Sequence, residues 1–451
     1  MKPYKQSVFF SILGLGLLQL MMVVALVSSS IAYSASPQPA TKPTPDLATL
    51  LPALVARADT VVRAQVMQST TRWNSSHTLL ETEHKLAVRY TLVGTPTREV
   101  LVYTDGGFLA AEGIGMHSSH TPSFMPGEEV LVFLEQTGSA YRVIQGEAGK
   151  LAIFHTDAVS SHYQTRLSLD QTATTIQAAA QRQGQRATLP TNWRAYEMTD
   201  LGRHVDMAQA TLADPKWPGA TPKIKVKVNL NSSHIGEQGG TAEEFLTAIT
   251  NALRTWSVIS EAEFTFLYDG PTSSATTGFN SANEIVFMAQ GSNSPLGKAL
   301  VWYTSNGTIL EGDIWINEDY QVDATTNPMS NEIDLESIVL HELGHWLPLS
   351  HINAADAVMY AALSPGVRKT VLHDEDRNGI TALYPCPATP CIDPTYSRAA
   401  TMTPTATETP TPTLTATLDP SQVTHTPTPT LAPSAVTPAP EINIFLPLVT
   451  Q

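Results

Sequence analysis

The chain has 451 residues, room for two or three domains. Hydrophobic residues make up 42% of it, enough for packed cores, which excludes a wholly disordered chain. Charged residues are sparse at 15% and the formal net charge is −15, which argues against a nucleic-acid partner, because phosphate binding needs a basic surface.

Residues 1–35 carry a short basic start (Lys2, Lys5), an uncharged apolar run from Val8 to Val27, and small residues after it. This is the order of a secretory signal, and the run is nearly long enough to serve as an uncleaved N-terminal anchor. Either reading places the rest of the chain outside the cytoplasm. Residues 36–46 form a Pro/Thr linker.

From 47 to 156 the pattern predicts a small all-β module. Val61–Met67, Lys85–Leu92, Glu99–Tyr103, Val130–Glu135 and Tyr141–Ile144 are β-branched or alternating runs, separated by turns such as Asp105-Gly106-Gly107. His117 and His120 lie in this stretch with no third ligand close in sequence, so they read as solvated loop histidines. Residues 157–219, polar apart from a helical stretch at Gln171–Arg182, read as a connector or pro-segment.

At Lys223 the pattern changes. Ile224, Val226 and Val228 alternate with Lys225 and Lys227, as in a strand with one buried face. Phe245, Ile249, Ala252 and Trp256 recur at helical spacing across Ala242–Trp256, and Thr241 with Glu244 makes a capping box. Strands follow at Glu263–Tyr268 and Glu284–Met288, then a pair at Ala299–Tyr303 and Gly312–Asn317 around the turn Ser305-Asn306-Gly307. Two further helices are expected, from Asn331 to Trp346 and from Asp374 to Tyr384. The fold class is therefore α+β, one twisted mixed sheet on two long helices plus a C-terminal helix, spanning 220–392. Cys386 and Cys391, the only two cysteines, suit one small disulfide loop in an exported protein. Residues 393–440 form a Thr/Pro-rich stalk that cannot bury a core. The tail at 441–451 is apolar again and resembles cell-surface retention tails of exported bacterial proteins, with a frayed terminus as the plain alternative.

His341 and His345 stand four residues apart within a helical stretch, so both imidazoles leave one face. That spacing can set two nitrogens about 2 Å from one zinc ion. Glu342 can reach a zinc-bound water without being a ligand and act as general base. His351, six residues beyond His345, suits a third ligand after a chain reversal. Leu335, Ile338, Val339 and Leu343 supply the helix's buried face.

The stretch His341-Glu342-Leu343-Gly344-His345-Trp346-Leu347-Pro348-Leu349-Ser350-His351 resembles the zinc signature of the metzincins, and of their matrixin branch (matrix-metalloproteinase-like peptidases) in particular. Ala357-Val358-Met359-Tyr360 is similar to the Met-turn, and Leu372–Tyr384 to the family's C-terminal helix. The resemblance covers roughly 223–384 and implies a zinc endopeptidase with one catalytic ion, Met359 beneath it, and a pocket lined by residues after Tyr360 for the side chain following the cut. It implies that Leu296, Gly297, Lys298, Ala299 and Leu300 offer a sheet edge on which an extended protein or peptide substrate adds as a strand. The cysteine-containing latency motif of animal relatives is absent. Asp313, Glu318, Asp319 and Asp323 are candidate calcium ligands, with solvated acidic loops as the plainer account.

The departure that matters is Pro348, where the family has glycine. Proline fixes φ near −65° and lacks an N–H, so the helix is expected to leave Trp346 by a different route, with His351 conditional upon it. Three readings follow: a secreted zinc endopeptidase acting on extracellular proteins, attached to the cell surface through either terminal segment; a surface binding or adhesion protein of metzincin fold weakened by Pro348; and another zincin class with Glu375 as third ligand, against which the Met-turn speaks.

Overall fold

The computed structural model describes residues 47–187 and 215–387, except 96, 155–156, 161, 163–164 and 237–238. The N-terminal segment, the stalk, the tail and Cys391 lie outside the described residues; Cys386 is disulfide-bonded.

The first half is not all-β. Helix α1 (Leu47–Arg57) opens it and helix α2 (Leu169–Arg182) closes it. Between them run β1 (Thr60–Trp73), β2 (Leu80–Val93), β3 (Glu99–Asp105), β4 (Gly107–Leu109), β5 (Ile114–Ser118), β6 (Glu129–Thr137), β7 (Ala140–Val143), β8 (Lys150–Phe154), β9 (Asp157–Ser160) and β10 (Thr165–Ser168). One sheet has the order β1-β2-β3-β7-β6-β8-β9-β10, and β6 also pairs back onto β1, closing β1, β2, β3, β7 and β6 into a ring. Alternation explains its two cores. Val62, Ala64 and Val66 of β1 join Leu86, Val100, Val130 and Val132 on one face. Val61, Leu131 and Phe133 turn outward onto Leu47, Leu51 and Leu54 of α1 and Ile176 of α2. Both faces of these strands are buried, so no polar–apolar alternation marks which way each side chain points. α1 has the apolar spacing of a half-buried helix and was missed in the sequence because its run is brief and holds Pro52. Ser168 and Gln171 make the capping box that starts α2, two residues before the expected Gln171.

The second half is a mixed sheet on helices. Its strands are β11 (Lys223–Val228), β12 (Thr265–Pro271), β13 (Glu284–Met288), β14 (Gly297–Thr304), β15 (Ile309–Asn317), and the short β16 (Val322–Asp323) and β17 (Ile333–Asp334). The sheet order is β12-β11-β13-β15-β14-β5-β4. β12, β11, β13 and β15 run parallel, and β14 runs antiparallel to β15. Helix α3 (Ala242–Ser257) starts at the expected capping box, Thr241 with Glu244. Helix α4 (Leu335–Trp346) begins later than expected, because Ile333 and Asp334 pair with Val322 and Asp323. The Asp334 side chain then caps it by accepting from Ser337 N. Helix α5 (Asp374–Leu383) closes the unit. Three tryptophans fix α4: Trp256 Nε1 of α3 donates to Leu340 O (2.8 Å), Trp346 Nε1 to Asp313 O (3.1 Å), and Trp217 Nε1 to Trp346 O (2.8 Å).

One topological feature has no sequence counterpart. β4 and β5 leave the first half and extend the second half's sheet: β5 lies antiparallel along β14, with Leu300 opposite Ser118 and Trp302 opposite Met116.

Candidate metal centre

Helix α4 carries the centre. It is buried along almost its whole length, and His341 is its one member that is only partly buried. His341 Nδ1 lies 2.7 Å from Val358 O, and His345 Nδ1 lies 2.8 Å from Leu349 O. A carbonyl oxygen only accepts, so both Nδ1 atoms carry the proton and both Nε2 atoms carry lone pairs. Those two Nε2 atoms face each other at 3.2 Å. Neither can donate to the other, so an arrangement of lone pair against lone pair calls for a cation. Two nitrogens on a tetrahedral zinc at its usual bond length stand about 3.3 Å apart. His351 supplies the third: its Nδ1 faces Glu147 Oε2 at 3.5 Å, while its buried Nε2 has no hydrogen-bond partner. Burial holds His341 near a pKa of about 3 and pushes His345 and His351 below their ordinary value, so all three imidazoles are neutral near neutral pH and free to bind a cation. The donor set fits zinc.

The turn at 357–360 packs against α4. A Cβ on Gly344 would collide with Met359 Sδ, which is why the motif needs glycine there. The buried Asp376 of α5 holds the turn, accepting from Val358 N (2.9 Å), Met359 N (3.0 Å) and His373 N (2.8 Å).

Pro348 corrects one expectation. The helix does end at Trp346, but by the glycine route: Pro348 sits at φ +24°, and Leu349 N donates to Gly344 O at 3.0 Å across the reversal. His351 reaches the other histidines. Glu375, the alternative third ligand, stands in the first turn of α5 and is not among them.

Two further corrections concern residues outside the motif. His120 is no solvated loop histidine: it is only 9% exposed and stands within the cluster, where His120, His341, His345 and His351 each bring a ligand nitrogen within 4.8 Å of the rest. His117 is exposed, but on strand β5. Glu342 is almost wholly buried, its Oε1 3.1 Å from His120 Nε2 and its Oε2 accepting from Ser119 Oγ at 3.0 Å. Burial acts to raise its pKa, but His120, His341 and the Ser119 hydroxyl outweigh that and leave it lowered.

The second correction is the edge at Leu296–Leu300, which is covered. Ser119 N donates to Ala299 O at 2.9 Å, and Ala299 N to Ser119 Oγ at 2.8 Å. Lys298 Nζ pairs with Asp105 at 2.7 Å. Burial would raise that carboxylate, but Lys298 and Arg142 outweigh it and hold it at about 2. Beyond the edge, Leu296, Ile338, Ala361, Ala362 and Leu363 line a cavity beside His341 and Glu342. Sequence reasoning missed His120, Ser119, Glu147 and His162, the last three because no motif marks them. Glu147 and His162 form a second group with His351.

The calcium candidates are occupied locally. Asp313 accepts from Gly278 N and Glu284 N, Glu318 from Ser233 N, Asp319 from Gly291 N and Asp323 from Thr325 N. The structure does not bring the four together into one group of ligand atoms among the described residues.

A helix presenting facing imidazole lone pairs above a buried methionine, beside a mixed sheet, is an arrangement that can hold a metal ion. Residues 237–385 match the family model of the matrixins, a zinc-dependent family, so this region is matrixin-like. It is 28% identical over 180 residues to metalloendoproteinase 1 of Glycine max, covering 38% of this chain and 53% of that one. Metalloendoproteinase 5-MMP of Arabidopsis thaliana is 27% identical over 180 residues, covering 38% and 46%. The 4-MMP protein of the same plant is 40% identical over 67 residues, covering 15% and 20%. The chain spans about half the length of the first two relatives.

Proposed function

We propose that the chain is a secreted zinc endopeptidase that hydrolyses extracellular proteins, with His341, His345 and His351 holding the ion and Glu342 as general base. The observation that carries this reading is the pair of Nε2 lone pairs facing each other at 3.2 Å, beside a third buried and unpartnered imidazole nitrogen. Zinc held there lowers the pKa of a water molecule and polarises the carbonyl to be cut. Glu342 takes the attacking water's proton on a carboxylate oxygen and delivers it to the leaving amine. Its lowered pKa leaves it ionised and able to do so. Met359 and Asp376 keep the floor rigid, and the backbone from Leu296 to Leu300 positions the substrate strand once that edge is free. The lining of Leu296, Ile338 and Leu363 supports an apolar side chain after the cut.

The adhesion reading drew its force from Pro348, and His351 reaches the cluster in spite of that residue. For location, no helix among the described residues is long and apolar enough to cross a membrane, and the export reading rests on residues 1–35.

The test uses residues 215–391, which keep Trp217 on Trp346. One zinc per chain, with casein cleavage in the native segment and loss by about 10²–10⁴-fold in Glu342→Ala, is the expected result. Full zinc without cleavage refutes it.

A further inference from the structure

Three observations converge on residues 114–121. Strand β5 fills the β14 edge through backbone pairing, and Ser119 continues it onto Ala299. Just beyond, His120 lies with its ring centroid 4.9 Å from that of His351, 5.4 Å from His345 and 5.5 Å from His341. Both oxygens of Glu342 are engaged by this segment, one by Ser119 and one by His120.

The geometry is held from behind. His120 adopts φ +57°, a left-handed conformation uncommon for a residue with a side chain. Its carbonyl accepts from Glu147 N at 3.1 Å, and a Cβ on Gly146 would collide with that same carbonyl oxygen. Glu147 in turn faces both His162 (3.3 Å) and His351 (3.5 Å). A strained residue kept in place by a glycine, a backbone bond and a bridging carboxylate is built rather than accidental.

We infer that residues 114–121 are an inhibitory strap, with the ring nitrogen of His120 that Glu342 does not engage as a fourth ligand to the metal. This rests on the zinc-peptidase reading above. A tetrahedral ion with three protein ligands keeps its fourth position for water, and an imidazole there makes the closed shell of a structural site. The strap thus withholds the water's position, the base and the substrate edge together. Activation would be a ligand exchange, in which His120 would yield its position on the metal to a water molecule and the edge at Leu296–Leu300 would open as β5 departs. No covalent bond is broken; the hydrogen bonds of β5 to β14 and of Ser119 and His120 to Glu342 are released.

The test uses the full chain loaded with cobalt(II) in place of zinc, whose visible absorption reports the ligand set. Asparagine tolerates the left-handed backbone and is a poor ligand, so His120→Asn removes the nitrogen and keeps the turn; His120→Gly is the second variant should the first fold poorly. Near-ultraviolet circular dichroism checks the fold of each. The expected result is a changed cobalt spectrum in both variants and binding of acetohydroxamate tighter by about tenfold or more, since the competing ligand is gone. Casein cleavage is expected only when Met116→Asp is added, because Met116 is buried with Ile114, Leu300 and Trp302 and a carboxylate there expels β5. Full cobalt uptake with identical spectra and equal hydroxamate affinity in native chain and variants overturns the strap alone. A chain that takes up no metal sinks the peptidase reading as well.

Discussion

Replacing Pro348 by glycine tests the geometry of the third ligand. Proline's ring holds φ near −65°, whereas Pro348 stands at +24°. The chain leaves α4 through a Schellman-type reversal, in which Leu349 N donates to Gly344 O at 3.0 Å. The companion bond of that motif, from residue 348 to the carbonyl of His345, cannot form because proline has no N–H. Glycine relieves strain of about 1–3 kcal/mol and restores a bond worth about 1 kcal/mol. The freedom glycine gains in the unfolded chain offsets about 0.5–1 kcal/mol of this. The expected balance is a stabilisation of about 1–3 kcal/mol, or a rise in Tm of about 3–9 °C for a domain of this size. Differential scanning calorimetry on the zinc-loaded chain measures it. The sign is diagnostic: at an ordinary proline position the same exchange lowers Tm by loosening the unfolded state. A Tm that falls or stays fixed refutes the reasoning.

Other perturbations test the supports of the site. Asp376→Asn weakens three hydrogen bonds from backbone N–H groups to a buried carboxylate. Urea unfolding should show a loss of about 2–4 kcal/mol, and an unchanged midpoint would contradict the role given to Asp376. Gly344→Ala drives a methyl group into Met359 Sδ and should cost about 1–3 kcal/mol; a zinc-loaded chain as stable as the native one would show that the floor yields. Burial pushes Glu311 up to about 7, although it accepts from Asn280 N and Ser281 N. The folded state therefore binds more protons than the unfolded one between about pH 4.5 and 7. Its contribution to stability is full below that window and is lost as pH rises through it, with a slope no steeper than about 1.4 kcal/mol per pH unit. In Glu311→Gln that part of the decline should vanish from urea midpoints measured across the window; a profile parallel to the native one would locate the pH dependence elsewhere.

What could be read from the sequence was what repeats over short distances. Phe245, Ile249 and Trp256 face the core at helical spacing, and α3 starts where Thr241 and Glu244 place it. His341 and His345 share a face because four residues make about one turn. The beginning of α4 was misread by a few residues because Ile333 and Asp334 are drawn into a bridge with Val322 and Asp323, a pairing no local pattern encodes. Residues 47–156 were read as purely β for a related reason, although the helix at Gln171–Arg182 was expected. Strands buried on both faces lose the alternation that would have shown a second surface needing cover, and that cover is α1 and α2.

His120 marks the limit of such reading most clearly. Its sequence neighbourhood, His117-Ser118-Ser119-His120-Thr121, offers no third ligand, and on that ground an isolated histidine pair is correctly discounted. The histidines that complete the cluster lie more than two hundred residues away, on α4 and beyond it, and reach His120 only because β5 pairs with β14. That pairing has a cause that can be stated physically. β14 is the last strand the second half contributes to its sheet, and a row of unpaired backbone groups at a sheet edge recruits whatever extended segment can reach it. Ile114 and Met116 bury against Leu300 and Trp302, which fixes the register, and a one-residue slip would turn both outward. With the register fixed, Ser119 falls beside Ala299 and His120 beside Glu342. On the function proposed above, the edge that would hold a substrate strand is thus the same feature that lets this chain hold its own.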